Sequence, residues 1–342
     1  MIDRDVPAGA ALPPTAPFRG SADPDWTPGM PDPRPAPVST GRYDVSRLIG
    51  SGGMADVYLA RDTRLGRDVA VKVFRADQET VADRARRERE LTLLAELNHP
   101  GLVAVHDAGF AGADAMPRRF IVMEYVTGRS LAHRIARGPL KPRQVADVGA
   151  QMADALGYVH SRGVVHRDVK PENILLGEEP ALGYSVVAKL ADFGVAQYVD
   201  GSRLTGDGTI MGTAAYISPE QARGDEVGPP SDVYSLGLVL LESLKGEREY
   251  TGTPVEAALA RLQRAPELPE ELSEEWCEVL GSMTADDPAE RPTAHDVAIA
   301  MRDLLASMAD SKRRRRDGGR TGAHGTSDRR AGRLWRPGVG RK

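Results

Sequence analysis

Short apolar runs separated by polar turns dominate the first patterned stretch of the chain. Apolar positions within residues 43–49 and 57–59 flank a glycine cluster, which predicts a strand, a tight turn and a second strand. The apolar runs at 68–74 and 120–126 predict two further strands. Between these runs, residues 80–97 carry leucines at helical spacing and are followed by an Asn-His-Pro stop. We therefore expect a small β-rich lobe with one main helix.

The hydrophobic period changes from that of strands to that of helices after residue 126. Within residues 144–161, apolar side chains recur at every third or fourth position, the pattern of an amphipathic helix. A second helix is expected to begin with Ser231 as its N-cap, because serine favours that position. Gly237 within this helix is expected to permit close packing. The pattern predicts an α+β protein in which a larger, mostly helical part follows the β-rich one.

Composition separates two terminal segments from the patterned region. Residues 1–40 hold ten of the chain's 25 prolines, which favour extended polyproline geometry, and we predict a disordered arm there. Residues 311–342 hold twelve Lys or Arg against two Asp, a net charge of +10, so the other 310 residues carry −14. A disordered, self-repelling basic tail is the favoured interpretation, and binding of an acidic partner or nucleic acid is the alternative.

Cysteine content and hydropathy give the expected location. Cys277 is the only cysteine and cannot form an internal disulfide, which favours a reducing compartment. The N-terminal residues lack the basic start and apolar run of a secretory signal. No stretch approaches the roughly 18 apolar residues that a membrane span needs. We expect a cytoplasmic protein without a membrane span.

Two short strings, VVHRDVKPENILL and KLADFG, carry the candidate chemistry. Phosphoryl transfer needs an oriented hydroxyl nucleophile, neutralised phosphate charge and a bound Mg²⁺ ion. Asp168 is suited to accept the proton of an attacking hydroxyl, and Lys170 to meet the transferring phosphate. Asn173 and Asp192 offer the oxygen ligands that a hard cation prefers. The two strings therefore predict a phosphotransferase.

A glycine cluster and a lysine in an apolar strand extend this hypothesis to a nucleotide. The turn IGSGGMADVY lets backbone N–H groups approach phosphates, although a glycine-rich hairpin alone is weak evidence. Lys72 lies in the middle of the strand AVKVF, where an ammonium needs opposite charge. Its expected partners are the phosphates of a nucleotide and Glu90 of the following helix, since Glu88 should point elsewhere on that helix.

The order of these motifs resembles that of the eukaryotic-type (Hanks-type) serine/threonine protein kinases, in particular their bacterial members. The resemblance covers residues 43–308 and implies a bilobal protein kinase fold, with an N-lobe of about 43–123 and a C-lobe of about 127–308. It is carried by the glycine loop, AVK, the helix residue Glu90, HRDVKPEN, DFG, SPE, SDVYSLG and Arg291 in DPAERPT. Ala55 departs from the pattern, because the family has its third loop glycine there.

The resemblance implies ATP as phosphate donor, with Mg²⁺ or Mn²⁺ as the metal ion. It makes Asp168 the catalytic base, places Lys170 on the γ-phosphate, and pairs Lys72 with Glu90 while Lys72 holds the α- and β-phosphates. Mg²⁺ ligands are then Asn173 and Asp192. The other nucleotide contacts that it implies are the loop Gly50, Ser51, Gly52 and Gly53, the adenine pocket Val57, Ala70 and Leu175, the gatekeeper Met123, and the hinge backbone at Glu124 and Val126.

The same resemblance indicates the acceptor and a mode of activation. Lys170 and Thr213 match the serine/threonine branch and not the tyrosine branch, so Ser and Thr hydroxyls of proteins are the expected acceptors. Arg167 suggests activation by phosphorylation of the following loop, because a phosphate can pair an otherwise uncompensated cation. Thr205 and Thr209 are the autophosphorylation candidates, and the alternative is that both are unmodified loop residues.

Two structural contacts and two competing functions complete the expectations. The resemblance also implies that Glu220 and Arg291 form a buried ion pair that braces the C-lobe, and that Asp232 is the helix-capping Asp beneath the catalytic loop. A pseudokinase or scaffold is the first competitor, but such proteins usually lack at least one residue of the catalytic set. A small-molecule phosphotransferase is the second, and it should lack SPE, the GTAAY loop and Arg291.

Overall fold

The computed structural model describes residues 41–52, 55–75, 96–111, 118–177, 186–192 and 213–318, with the side chains of Ala111, Thr213 and 311–318 excepted. The proline-rich arm, the helix predicted at 80–97 apart from its last two residues, and the two candidate phosphorylation sites lie outside the described residues. No helix among the described residues is long and apolar enough to cross a membrane.

An antiparallel sheet of five strands forms the first lobe. Its strands run in the order β1-β2-β3-β5-β4, and the three sheet residues Val57, Lys72 and Ile121 lie opposite one another in a row across β2, β3 and β5. The strand bounds are Tyr43–Ser51 for β1, Ala55–Asp62 for β2, Arg67–Phe74 for β3, Val105–Ala111 for β4 and Arg118–Glu124 for β5.

The two faces of this sheet have different neighbours. Side chains alternate between faces along a strand, and directly paired residues of antiparallel strands share a face. One face carries the buried cluster of Tyr43, Tyr58, Ala60, Val69, Val71, Val73, Phe120 and Val122. The opposite face carries Val57, Ala70, Lys72 and Met123, because Lys72 pairs with Val57 and Ala70 pairs with Met123. The sheet therefore presents four predicted nucleotide contacts on one surface.

The outer edge of the sheet is fixed by a buried carboxylate. Asp62 is completely buried at the end of β2, and it accepts hydrogen bonds from Arg42 Nε at 3.2 Å and Arg42 Nη2 at 2.9 Å. The amides of Arg64 and Leu65 also donate to it, at 3.0 and 3.2 Å. Arg42, followed by the amides, lowers the pKa of Asp62 to about 2, although burial opposes the shift. The residue just before β1 is thus tied to the β2–β3 turn.

A second sheet of three short antiparallel strands lies where the two lobes meet. Its strands are β6 (Gly128–Ser130), β7 (Ile174–Gly177) and β8 (Val187–Leu190). Leu190 donates to Gly101 O at 2.8 Å, and its own carbonyl accepts from Val103 N at 3.0 Å. These bonds attach the segment that leads into β4 directly to the strand that precedes Asp192.

The second lobe is built around one buried helix. Helix α2 packs against α4, α7 and β8, and its apolar face is part of a core that also includes Leu236, Leu240 and Met301. The helix bounds are Leu131–Ile135 for α1, Pro142–His160 for α2, Pro219–Arg223 for α3, Pro229–Lys245 for α4, Pro254–Gln263 for α5, Glu274–Met283 for α6 and Ala294–Gly318 for α7.

The predicted start of α4 at Ser231 is wrong. The N-cap is Gly228, and Pro229 and Pro230 occupy the first helical positions, where a missing N–H costs nothing. Ser231 instead donates its hydroxyl to Glu220 Oε1 at 2.6 Å. The packing role of Gly237 holds, because a Cβ there would lie 2.8 Å from Thr284 Cγ2 and 3.1 Å from Met283 Cβ.

The predicted start of the disordered tail at residue 311 also needs correction. Helix α7 continues to Gly318, so the backbone of 311–318 is helical. The sequence explains the extension, because residues 294–317 contain no Gly or Pro and are rich in Ala, Met, Lys and Arg, which favour helices. The predicted tail beyond residue 318 lies outside the described residues.

Candidate active site

A buried aspartate lies beneath the HRDVKPEN loop and holds its backbone. Asp232 is 1% exposed and accepts from His166 N and from Arg167 N, both at 2.7 Å. His160 Nε2 lies 2.8 Å from the same carboxylate. Arg167 has a φ of 67°, a backbone conformation that is costly for a residue other than glycine. The bonds from Asp232 keep the loop in this strained shape, as the sequence predicted for that residue.

Asp168 presents one paired and one unpaired carboxylate oxygen. Its Oδ2 accepts from Lys170 Nζ at 2.7 Å and from Asn173 Nδ2 at 3.1 Å. Its Oδ1 is buried and has no hydrogen-bond partner among the described residues. A buried acceptor without a donor costs free energy, so such atoms are rare outside functional sites. The three residues that the sequence placed at the reacting groups thus lie together.

Lys72 contacts a different carboxylate from the one predicted as its protein partner. Its Nζ lies 2.7 Å from Asp192 Oδ1, which brings the middle of β3 to the beginning of the DFG string. Asp192 has a φ of 57°, so this backbone is also strained. Glu90 lies outside the described residues, and its pairing with Lys72 stays a prediction. The ion pair joins the two lobes across the cleft.

Asn173 and Asp192 fit the ligand set of Mg²⁺. Asn173 Nδ2 donates to Asp168 O at 2.8 Å, which leaves its Oδ1 as the coordinating atom, and Asp192 supplies a carboxylate. Among the described residues, no group of three or more His, Cys, Asp or Glu is arranged to hold a metal alone. Mg²⁺ is normally held by one or two carboxylates together with substrate phosphates. These residues therefore suit a metal ion shared with a nucleotide.

The described part of the glycine loop leaves room above the cleft. Gly50 and Ser51 end β1, and Gly52 N donates to Ala55 O at 2.9 Å. Neither Gly50 nor Gly52 has a positive φ, and a Cβ at either would meet no atom closer than 3.7 Å. Internal packing therefore does not require these glycines, whereas close approach of a ligand to the backbone would. Gly53 lies outside the described residues.

The predicted adenine contacts lie on the two sides of the cleft. Val57, Ala70 and Met123 share one face of the five-stranded sheet, and Leu175 lies in the middle of β7, opposite Lys189 of β8. Their roles stay predictions, but the fold gives each of them a position that borders the same cleft.

A lysine that sequence reasoning missed fixes the hinge. Lys189 Nζ donates to Glu124 Oε2 at 3.0 Å, and Ala104 N donates to the same oxygen at 3.3 Å. Glu124 and Val126 are the predicted hinge contacts, so the hinge is tied to the strand that leads to Asp192. The available signal was the one used for Lys72, namely a lysine in an otherwise apolar strand, VAKL.

The predicted ion pair between Glu220 and Arg291 is present and buried. Arg291 Nη1 and Nη2 donate to the two carboxylate oxygens of Glu220 at 2.7 and 2.8 Å, a two-pronged contact. Burial alone raises the pKa of Glu220, but the bonds from Arg291 and Ser231 outweigh it and hold the pKa below its ordinary value. The pair joins α3 to the segment before α7.

Comparison with known proteins decides the family. The family model described as the protein kinase domain matches residues 43–300, three quarters of the chain. The chain belongs to the protein kinase family. The predicted family and the predicted bilobal fold are confirmed.

Two similar curated proteins come from bacteria. It is 45% identical over 232 residues to the serine/threonine-protein kinase PknB of Mycobacterium tuberculosis, a match that covers 66% of this chain and 36% of that protein. It is 43% identical over 227 residues to a probable serine/threonine-protein kinase PknB of Bifidobacterium longum, covering 64% of this chain and 32% of that protein. The matched region thus spans about a third of these relatives.

A solved kinase domain shares the fold. The crystal structure of the Mycobacterium tuberculosis PknI kinase domain matches with a TM-score of 0.59 and 27% sequence identity. The match covers 79% of this chain and 99% of that one. A β-rich lobe joined to a helical lobe is therefore common to both.

Proposed function

We propose that this protein transfers the γ-phosphoryl group of Mg²⁺-bound ATP to Ser and Thr hydroxyls of proteins. The observation that carries the proposal is the unpaired Oδ1 of Asp168, a buried acceptor beside Lys170 and Asn173. A donor hydroxyl at this oxygen would satisfy it and would have its proton accepted as the phosphate bond forms. The names of the curated relatives, which are serine/threonine-protein kinases, support the same acceptor class.

Each neighbouring side chain has a separate part in this reaction. Asp168 orients the acceptor hydroxyl and takes its proton, while Lys170 balances the charge of that carboxylate and faces the transferring phosphate. Asn173 fixes Asp168 through two hydrogen bonds and offers its Oδ1 to the metal ion. Mg²⁺, when bound, neutralises phosphate charge. Lys72 and Asp192 form the ion pair that would open to receive the phosphates.

The test is a change of Asp168 to Asn, which keeps the shape and removes the base. We expect phosphate transfer to a Ser/Thr peptide pool to fall by about 10²- to 10⁴-fold, since that is the usual contribution of a positioned base. ATP affinity, measured by calorimetry, should stay within a few-fold. Asp154→Asn is the control, because Asp154 pairs with Arg302 and is not among the predicted catalytic or nucleotide-binding residues. Equal transfer by Asp168→Asn and the parent would refute the assigned mechanism and revive the scaffold alternative.

Several finer features belong to this proposal. Activation through phosphorylation of Thr205 or Thr209 would appear as added phosphate in mass spectra after incubation with Mg²⁺ and ATP, and an unmodified loop would contradict it. The choice of Mg²⁺ over Mn²⁺, the cytoplasmic location, and the role of the basic tail with an acidic partner or nucleic acid stay predictions. So do the domain limits at 43 and 308.

A further inference from the structure

A buried arginine on α5 holds the segment that precedes α3. Arg261 is 3% exposed, and its two terminal nitrogens donate to Ala214 O and Ile217 O. Its Nε donates to Ala257 O, within its own helix, at 3.1 Å. Within the described part of the chain, no Asp or Glu is among the groups that act on this guanidinium, and its polar side-chain neighbours are the neutral Tyr234 and Tyr250. The cation is therefore held by backbone carbonyls instead of by a counter-charge.

This arrangement is unusual for a core residue. Burial of a charged group without an opposite charge is unfavourable, and arginines are seldom fully buried unless paired. A guanidinium presents donors in a rigid planar fork, so it can bond to two carbonyls that lie three residues apart on one segment. A neutral side chain or a lysine could not make both bonds. The contact thus fixes the shape of residues 214–217.

A stack of aromatic rings and arginines continues from this contact to the buried ion pair. The Arg261 guanidinium lies 4.8 Å from the ring centre of Tyr250, and Arg291 lies 4.9 Å from that of Tyr234. Burial and then the neighbouring Tyr250 raise the pKa of the Tyr234 hydroxyl, so the two tyrosine side chains lie close together. Tyr250 also donates to Arg264 O at 3.0 Å, at the end of α5. Residues 214–217 are therefore anchored to the same rigid unit as the ion pair beneath α3.

The anchored segment borders the catalytic loop. In α3, four residues beyond this segment, Gln221 Nε2 donates to Arg167 O at 3.2 Å, next to Asp168. Within the segment itself, Tyr216 donates to Glu242 Oε2 at 2.5 Å. Residues 214–217 lead directly into α3, which contacts the catalytic loop beside Asp168. An acceptor that presents a hydroxyl to Asp168 would therefore lie next to this segment.

We propose that Arg261 is a positioning residue for the protein acceptor. It holds residues 214–217 in the shape against which the acceptor chain lies. It acts on acceptor binding and not on nucleotide binding, since none of its contacts within the described residues is with a predicted nucleotide-binding residue. This inference rests on the proposed function, because it names the part of the site that receives the Ser/Thr protein.

The test compares full-length Arg261→Met and Arg302→Met, since Met retains the length of Arg without its donors. Arg302 is a half-exposed arginine of α7 that pairs with Asp154. For Arg261→Met we expect the KM for a degenerate Ser/Thr peptide pool to rise at least tenfold, with ATP affinity and acceptor-independent ATP hydrolysis within twofold of the parent. Arg302→Met should leave all three values within twofold. An unchanged peptide KM, or an equal loss of ATP affinity, would overturn the proposal.

A second variant and a second measurement keep the test decisive. If Arg261→Met does not fold, Arg261→Lys replaces it, because lysine keeps the charge but cannot span both carbonyls, and the same peptide-selective rise in KM is required. Hydrogen exchange of residues 213–218 without ligands should be faster in either variant, and unchanged exchange would refute the anchoring role. If the parent protein phosphorylates no peptide, the proposed function fails, whereas the exchange result still decides whether Arg261 holds this segment.

Discussion

Two partly buried lysines border the cleft of this kinase domain at the scale of single residues. The side chains of Lys72 and Lys189 are each 18% exposed, and each contacts a carboxylate across the cleft, at Asp192 and Glu124. A buried charge is stable only where it is paired or well hydrogen-bonded. The partners of these two lysines therefore lie at the predicted phosphate end and the predicted hinge end of the cleft.

Asp62 makes the stability of the first lobe depend on pH in the acidic range. Its pKa of about 2 lies below the ordinary 3.8, so its contribution is complete above about pH 4 and is lost as pH falls through about 2. We expect Asp62→Asn to lower the free energy of unfolding at pH 7, and the difference from the parent to shrink between pH 4 and pH 2. Urea unfolding across this pH range measures it.

Asp68→Asn provides the matched control for that experiment. Asp68 pairs with Arg61 at 2.7 Å, but both side chains are half-exposed, and exposed ion pairs contribute little. Its effect should be small at every pH. A gap between Asp62→Asn and the parent that persists unchanged at pH 2 would contradict the assigned role of the Asp62 carboxylate.

At the scale of secondary-structure elements, the packing between α4 and α6 can be tested at one glycine in each helix. A Cβ at Gly237 would meet Thr284 Cγ2 at 2.8 Å, whereas a Cβ at Gly281 meets nothing within 4 Å. We expect Gly237→Ala to destabilise the C-lobe by about 1–3 kcal/mol through overpacking. Gly281→Ala should stabilise it by up to about 1 kcal/mol, because alanine favours a helix. Equal effects of the two changes in thermal unfolding would show that the α4–α6 contact is not close-packed.

The ion pair between α3 and the segment before α7 allows a second test of element packing. Arg291 and Glu220 have side chains 0% and 5% exposed. Arg291→Met should cost about 3–5 kcal/mol, because it leaves the Glu220 carboxylate buried without its cation. Arg223→Met, which breaks an exposed pair with Asp286, should cost less than about 1 kcal/mol. Urea unfolding separates these cases, and a similar small loss for both would mean that Glu220 finds water or another donor.

Element boundaries show how far the sequence could predict this fold. Hydrophobic periodicity predicted the approximate position of each described strand and helix that the sequence analysis names. Burial of one face of an element produces this periodicity directly. It misplaced the start of α4, since Ser231 is a good cap by itself and only the tertiary contact with Glu220 reveals its other partner. Arg261 had no sequence signal at all, because the carbonyls that it binds belong to a segment 44 residues away.

At the scale of the whole molecule, the candidate site exists only where the lobes meet. β3 supplies Lys72, the loop after α2 supplies Asp168 and Asn173, and the segment after β8 supplies Asp192. No local sequence pattern shows that residues about a hundred positions apart come together. This assembly was predicted only because the order of the motifs resembles that of a known family. A ligand that contacts both lobes should therefore stabilise the molecule as a unit.

The thermal stabilisation of the protein by Mg²⁺-ATP tests whether one ligand contacts both lobes. At a concentration of Mg²⁺-ATP about 100 times its Kd, the folded state should gain about 2.7 kcal/mol, seen as a raised Tm in calorimetry. Asp192→Asn removes the carboxylate that contacts Lys72 and is the predicted metal ligand, so it should lose most of the gain, and chelation of Mg²⁺ should do the same to the parent. A metal ion that is shared by the nucleotide and Asp192 makes the affinity for ATP depend on Mg²⁺ and the affinity for Mg²⁺ depend on ATP. If ATP raises the Tm equally with and without Mg²⁺, no such shared ion connects the nucleotide to Asp192.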